Sequence, residues 1–244
     1  MARQEGDLDY LDAFDHGQIL KILVDVTNDA QIETAVKATE DKLGTVDFLV
    51  NNAGLGYFAT LEESDLKEVE YMFNVNVFGL AKVTKAVLPL MCKQRSGVIV
   101  NISSVLGLTT LPTMGYYCAS KYAVEAYTDA LRQEVSGFGI QVLAVEPSGA
   151  WTNWAGKSSQ KTVPTIEDYA AFKDGIANMA QATTDSPGDP KAIADLLYVA
   201  ATKETVPHHL PLGQFAYEGS LANLTKIADE IQGQKANALS ADRK

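Results

Sequence analysis

Short apolar, β-rich runs that alternate with amphipathic helical stretches of roughly 15–25 residues predict an α/β fold with a parallel sheet. Two observations support this. The apolar runs stop at turn-forming clusters such as Asn51-Asn52-Ala53-Gly54 or at Pro147, as strands do where a connection begins. The 244 residues, 46% of them hydrophobic and 21% charged, match one soluble α/β domain in size and composition. The chain contains no internal repeat and no low-complexity segment.

The elements follow in order. Leu8, Leu11 and Phe14 stand at helical spacing and read as the end of a helix plus a turn. Ile19 to Val26 is a strand by its apolar, β-branched content. Thr27 or Asn28 caps the next helix, whose stripe of Ile32, Ala35, Val36 and Leu43 ends at Gly44. Val46 to Val50 is a buried strand. Ser64 to Met91 is helical in period, with Leu66, Val69, Phe73, Val77 and Leu80 recurring at three and four. Pro89 predicts a break or kink near its end. Val98 to Ile102 and Ile140 to Glu146 are strands on either side of a helix from Tyr117 to Phe138. Residues 148–190 are irregular apart from a helix over Ile166 to Ala182. A helix over Pro190 to Thr202, a short strand His209 to Leu212 and a helix Ala216 to Ile231 precede a polar tail.

A net charge of −11 argues against nucleic acid or an anionic membrane as partner, because no basic surplus exists to neutralise phosphate. No apolar run approaches the ~18 residues of a membrane span, and the first twenty residues lack a signal-peptide core. The default expectation is a soluble, cytoplasmic protein. Cys92 and Cys118 form neither a CxxC pair nor a ligand cluster and read as buried small apolar groups. His16, His208 and His209 have no partners at ligand spacing, so no metal site is expected.

The stretch Asn101 to Lys121 carries the chemistry. Ser103 and Ser104 close an apolar run, and Tyr117 stands four residues before Lys121 in a helical pattern. A phenol and an ammonium at i and i+4 share a helix face. The cation is expected to lower the phenol's pKa and make it a general acid/base near neutral pH. Ser104 beside it would hydrogen-bond a reacting oxygen. Asn51 to Gly54 sits at the carboxyl end of a strand, where α/β sheets bind ligands, and Gly54 lets backbone approach closely. The formal GxGxxA match at Gly54, Gly56 and Ala59 is not a dinucleotide fingerprint, because no helix opens there and no acidic residue follows at about 20 positions. Asp25 either hydrogen-bonds a ligand or caps the following turn. Asn76, mid-helix, is either a buried amide bonded to backbone or a kink facing the pocket.

In the order DVT, NNAG, NVNVFG, SS and YxxxK, with Pro147 after a late strand, the chain from about Arg3 to Gly213 resembles the short-chain dehydrogenase/reductase family. Ser104 stands thirteen residues before Tyr117, that family's usual offset. The resemblance implies a Rossmann-like, doubly wound parallel sheet in three αβα layers. It implies one domain over 1–244, with 150–190 covering the substrate. It also implies NAD(P)-dependent hydride transfer between an alcohol and a carbonyl. Tyr117 would exchange the proton, and Lys121 would lower its pKa and bond the nicotinamide ribose. Ser104 would orient the substrate oxygen, and Asn76 would hold a water relaying protons to Lys121. Asp25, Asn52, Ala53, Gly54, Pro147 and Thr152 would line the dinucleotide beside Tyr117 and Lys121. A homodimer or homotetramer through the two long helices is implied. Trp151, Trp154, Tyr169 and Phe172 favour an apolar or aromatic small-molecule carbonyl substrate.

Two departures stand against the family pattern. The TGxxxGxG turn that lays a pyrophosphate on a helix N-terminus is not found before Asp25. The sequence therefore reads as an N-terminally truncated member lacking the first two strands, with an unpaired edge on the Val46 strand. Arg3 resembles the arginine after the family's second strand and favours NADP over NAD. Ser148 replaces the usual glycine and would add a Cβ on the nicotinamide side. The competing reading is a catalytically silent domain that keeps the fold for dimerisation or partner binding.

Overall fold

A computed structural model describes residues 1–150, 154, 158–178 and 187–242. The strands are β1 (Phe48–Asn51), β2 (Gly56–Phe58), β3 (Gly97–Ile102), β4 (Ile140–Pro147), β5 (Ser159–Lys161) and β6 (His209–Leu212). The α-helices are α1 (Asp29–Leu43), α2 (Leu66–Phe73), α3 (Leu80–Gln94), α4 (Gly115–Val135), α5 (Lys173–Asn178), α6 (Pro190–Ala201), α7 (Gln214–Gly233) and α8 (Lys235–Ser240). The main sheet is parallel, in the order β1-β3-β4-β6. Helices alternate with its strands along the chain, as parallel crossovers require. β2 and β5 form a separate parallel pair beside it, which periodicity did not reveal because each has only three residues.

The sheet owes its stability to burial on both faces. On one face Leu49, Ile99, Ile140 and Val142 pack with Ile32 and Ala35 of α1, Val83, Val87 and Met91 of α3, and Leu131 and Val135 of α4. On the other, Val98, Val100, Leu143 and Val145 meet Ala200 and Ala201 of α6 and Leu212 of β6. Phe48 and Val50 lie in register with Val98 and Val100. In parallel pairs, registered side chains share a face, so both belong to this second layer. They remain 48% and 47% exposed, because the covering helices stop short of β1.

The Ile19–Val26 strand expected from sequence is not formed. Only Leu23 bridges, in parallel to Ala2, with Ala2 N donating to Ile22 O at 3.2 Å and Val24 N to Ala2 O at 2.8 Å. A strand exists only through its neighbours' hydrogen bonds, and Ala2 is the single partner within reach among the described residues.

Other elements sit close to expectation, with local corrections. Asn28 is the N-cap of α1, its side chain accepting from Gln31 N, and Gly44 closes the helix at φ 81°. α2 and α3 join through a π-helical turn at Asn74–Gly79, so Leu66–Gln94 is one continuous helix. By length and composition it could cross a membrane, but its Val69, Met72, Val83, Val87 and Met91 lie in the core. Pro89 does not end it. Buried Val87 and Met91 hold the last turn through the proline, and the helix runs on to Gln94. The helix expected over Ile166 to Ala182 divides into a 3₁₀ turn at Glu167–Phe172 and the short α5, with its final residues outside those described. The polar tail carries α8.

Truncating the centre of the sheet should therefore cost far more than changing its bare edge. Leu143→Ala is expected to lose about 2–5 kcal/mol of unfolding free energy, and Val50→Thr less than about 1 kcal/mol, both measured by urea titration.

Candidate functional site

In a parallel sheet all carboxyl ends lie on one edge, and ligands bind outside that edge. The sequence-predicted residues collect there. β1 runs into Asn52-Ala53-Gly54, β3 into Ser103 and Ser104, and β4 into Pro147 and Ser148, while α4 brings Tyr117 and Lys121 in its first two turns. Asn51 and Asn101, paired in register, fasten this edge. Asn51 Nδ2 donates to Asn101 Oδ1 at 2.8 Å and to Thr84 Oγ1 at 3.0 Å. Asn101 Nδ2 donates to Thr128 Oγ1 at 2.9 Å, and that hydroxyl donates on to Val124 O. This buried chain ties β1, β3, α3 and α4 together. Sequence reading missed it, although an asparagine at the end of each of two paired strands is its signal.

Asn76 resolves its two sequence readings in favour of the amide bonded to backbone. From the π-helical turn its Nδ2 donates to Leu55 O at 2.9 Å and to Ser120 Oγ at 3.1 Å, and its Oδ1 accepts from Leu55 N at 2.7 Å. The extra residue in a π turn is what swings this side chain out of the helix's own register. A Cβ on Gly54 would stand 3.6 Å from Asn76 Oδ1 and 3.7 Å from Lys121 Nζ. Glycine therefore keeps the mouth above the lysine open.

Ser104 accepts from Leu106 N at 3.1 Å and faces the Tyr117 hydroxyl. Lys121 Nζ lies 5.8 Å from the Tyr117 ring centre and donates to Ile102 O at 2.9 Å. Both groups are buried, and here the electrostatics depart from the sequence reading. Burial drives the phenol well above its ordinary value, offset only in part by the Ser104 hydroxyl. Burial also pulls the ammonium down to about 8, against the opposing pull of Glu125. Desolvation penalises each charged form by more than the expected ion pairing returns. The resting pair is thus a neutral phenol beside a lysine poised near neutrality, not a phenolate stabilised by an ammonium.

Trp154 covers the phenol, ring centres 4.8 Å apart, and meets Phe58 edge-on at 5.6 Å. Gly56 makes room for it, since a Cβ there would lie 2.7 Å from the indole. Trp151 and Thr152 lie outside the described residues. The Ser148 hydroxyl donates to Leu212 O at 3.2 Å. Gly213, at φ 108°, accommodates it, because a Cβ there would sit 2.0 Å from Ser148 Oγ.

A cleft of about 440 Å³ extends from Gly54 along Asn52 and Ala53 to Asp25, Val26, Ala2 and Arg3. Asp25 accepts from Thr27 N at 2.8 Å and Thr27 Oγ1 at 2.7 Å, which hold its carboxyl below the ordinary value. It therefore caps the turn while lining the cleft. Arg3 reaches the same cleft and donates to the Tyr71 hydroxyl at 3.1 Å. These residues fit the two ends of a nicotinamide dinucleotide: an open glycine mouth over Lys121, and a carboxylate with an arginine at the far end. Among the described residues no glycine-rich turn opens a helix between them.

The short chain dehydrogenase family matches residues 8–163. Oxidoreductase BOA17 of Botryotinia fuckeliana is 34% identical over 221 residues, covering 89% of this chain and 80% of that protein. A short-chain dehydrogenase structure from Streptomyces avermitilis superposes with a TM-score of 0.89 at 32% identity, over 99% of this chain and 88% of its own. A Burkholderia phymatum short chain dehydrogenase/reductase in complex with NAD has a TM-score of 0.76 at 26% identity, over 93% and 80%.

Three outcomes are expected. Asn76→Ala leaves Leu55 N–H and C=O without partners and should cost about 1–3 kcal/mol, with faster amide exchange at Leu55. Lys121 followed by ¹³Cε NMR should titrate near pH 8. Its folded value lies below its unfolded one, so between about pH 8 and 10 the unfolded chain binds more protons and stability rises with pH. Lys121→Met should abolish that rise. Gly213→Ala should lower stability by about 2 kcal/mol or more, because it adds positive-φ strain to a steric overlap.

Proposed function

This chain belongs to the short-chain dehydrogenase/reductase family, and from that premise we propose that it is an NAD(P)-dependent oxidoreductase interconverting a carbonyl and an alcohol. The observation that carries the proposal is the convergence of Ser104, Tyr117 and Lys121, from β3 and α4, on one water-poor edge beside the glycine mouth at Gly54. A nicotinamide dinucleotide, when bound, supplies the hydride chemistry. The protein supplies position and a proton.

The protonation pattern suits the reductive direction. A phenol that stays neutral at physiological pH is a proton donor to an oxygen that gains negative charge, and the Ser104 hydroxyl beside it would hold that oxygen in place. Lys121, with its pKa near 8, would answer small changes of local charge and restore the proton to Tyr117. Asn76 contributes by holding Leu55, and with it the backbone that frames the lysine. Asp25, Asn52, Ala53, Gly54 and Pro147 would line the dinucleotide, with Thr152 proposed from sequence alone. Arg3 in the cleft favours NADP, while the Burkholderia phymatum relative was solved with NAD. Trp154, tilted against Tyr117, favours a substrate whose carbonyl carries an apolar or aromatic group. Exposed Leu66, Tyr71 and Phe78 on the long helix, with Tyr122 and Phe138 at α4 and just beyond it, support pairing of two copies through these helices.

A second reading, a silent domain kept for association, draws support from the bare Phe48 and Val50 face. Cofactor titration separates the two. NADPH or NADH fluorescence should saturate on the oxidoreductase reading, and the absence of saturation at millimolar cofactor overturns it. Tyr117→Phe should remove turnover and leave cofactor affinity nearly unchanged. A variant retaining more than about a tenth of wild-type kcat, under 1.4 kcal/mol of barrier, contradicts the role given to the phenol.

A further inference from the structure

Behind the lysine, on the side away from the open mouth, lies a cluster that hydride transfer does not use. Glu125 follows Lys121 by one helical turn on α4, Glu146 lies near the end of β4, and His209 begins β6. One ligand-capable atom from each lies within 4.8 Å of the other two. Glu146 is fully buried, its Oε1 2.8 Å from His209 Nδ1 and its Oε2 accepting from Leu210 N at 2.9 Å. Glu125 is 6% exposed, and neither of its carboxylate oxygens has a hydrogen-bond partner. Ser103 Oγ faces it closely enough to ease its charge but outside hydrogen-bond geometry, and is likewise unpartnered. A buried carboxylate with both oxygens unmet is costly, and this one points at a second buried carboxylate.

We propose that Glu125, Glu146 and His209 form a binding site for one divalent transition-metal ion of the zinc type. Ligands about 2.0–2.2 Å from such an ion in tetrahedral array stand roughly 3.3–3.6 Å apart. The existing separations bracket this: 2.8 Å from His209 Nδ1 to Glu146 Oε1 and 3.7 Å to Glu125 Oε2. Small side-chain shifts admit the ion. Its charge offsets two carboxylates that otherwise face one imidazole, with Lys121 one turn away from Glu125 and Asp129 and Arg132 further out. An imidazole with two carboxylates selects zinc-like ions over magnesium or calcium, which ask for six or more oxygens.

The surroundings match what metal-bound histidines use. Ligation through Nδ1 frees Nε2 to donate to a carboxylate, and Asp129 Oδ1 lies 3.9 Å from Nε2. Asp129 is itself held by Arg132 Nη1 at 2.6 Å. Gly107 allows the close approach, since a Cβ there would lie 3.0 Å from Glu125 Cγ. His209, its side chain 42% exposed, provides the entry path, and binding releases the proton that Nδ1 donates to Glu146. The site does not depend on the oxidoreductase reading.

The test uses the full chain, stripped with a chelator and titrated with zinc chloride by calorimetry. One ion per chain should bind. His209→Ala and Glu125→Gln should each weaken binding at least tenfold, and Asp129→Asn roughly 10–100-fold. His208→Ala, the adjacent histidine, should bind as wild type. Cobalt in place of zinc should give the visible absorption of a tetrahedral site. His209 is half-exposed, so its variant should fold, with circular dichroism as the check. A flat isotherm overturns the proposal, as does uptake that survives His209→Ala or is lost with His208→Ala. If a shared proton satisfies the two carboxylates instead, the isotherm is flat and infrared spectra show a protonated carboxyl band that Glu125→Gln removes.

Discussion

The carboxyl edge of the sheet depends on Asn101. Its side chain accepts from Asn51 across the strand pair and donates to Thr128 on α4, in a place from which water is excluded. Without those bonds, buried amides on two strands would each carry an unmet desolvation cost. With them, the ends of β1 and β3 are held level and α4 is seated against both. The candidate site residues on that edge are spaced from this anchor: Gly54 three residues beyond Asn51, Ser104 three beyond Asn101, and Tyr117 and Lys121 on the helix that Thr128 holds.

The same exclusion of water governs the chemistry. Tyr117 and Lys121 are close enough to interact, yet burial moves both away from their charged forms. Proximity on a helix face is a statement about distance, whereas protonation depends on the dielectric around the pair. A lysine brought to about 8 responds to small electrostatic changes, and Glu125 one turn away is the charged neighbour that bears on it. The cluster of Glu125, Glu146 and His209 thus adjoins the candidate active site along the same face of α4, one helical turn on.

Several features that look like departures are locally compensated. The Ser148 hydroxyl donates to the Leu212 carbonyl, and Gly213 leaves the room for it. Pro89 sits inside a helix whose buried residues on either side hold the turn. In both cases the neighbour that makes the residue tolerable is distant in sequence or lies on another face, so the residue alone predicts a defect that the packing removes.

The sequence by itself determined the alternation of strands and helices, placed the strand ends at or within one residue of Asn51, Ile102 and Pro147, and singled out Asn76, Ser104, Tyr117 and Lys121 as candidates. It could do so because hydrophobic period and turn chemistry are local, and because the motifs keep a fixed order. Only the tertiary structure decided the rest. Ile19–Val26 failed as a strand because pairing is non-local. Asn76 proved a clamp because its partner Leu55 lies 21 residues away. The phenol's pKa rose because burial, which spacing cannot report, outweighed the nearby amine. His209 found two carboxylates because the β4–β6 pairing and α4 brought together residues 63 and 84 positions apart in sequence.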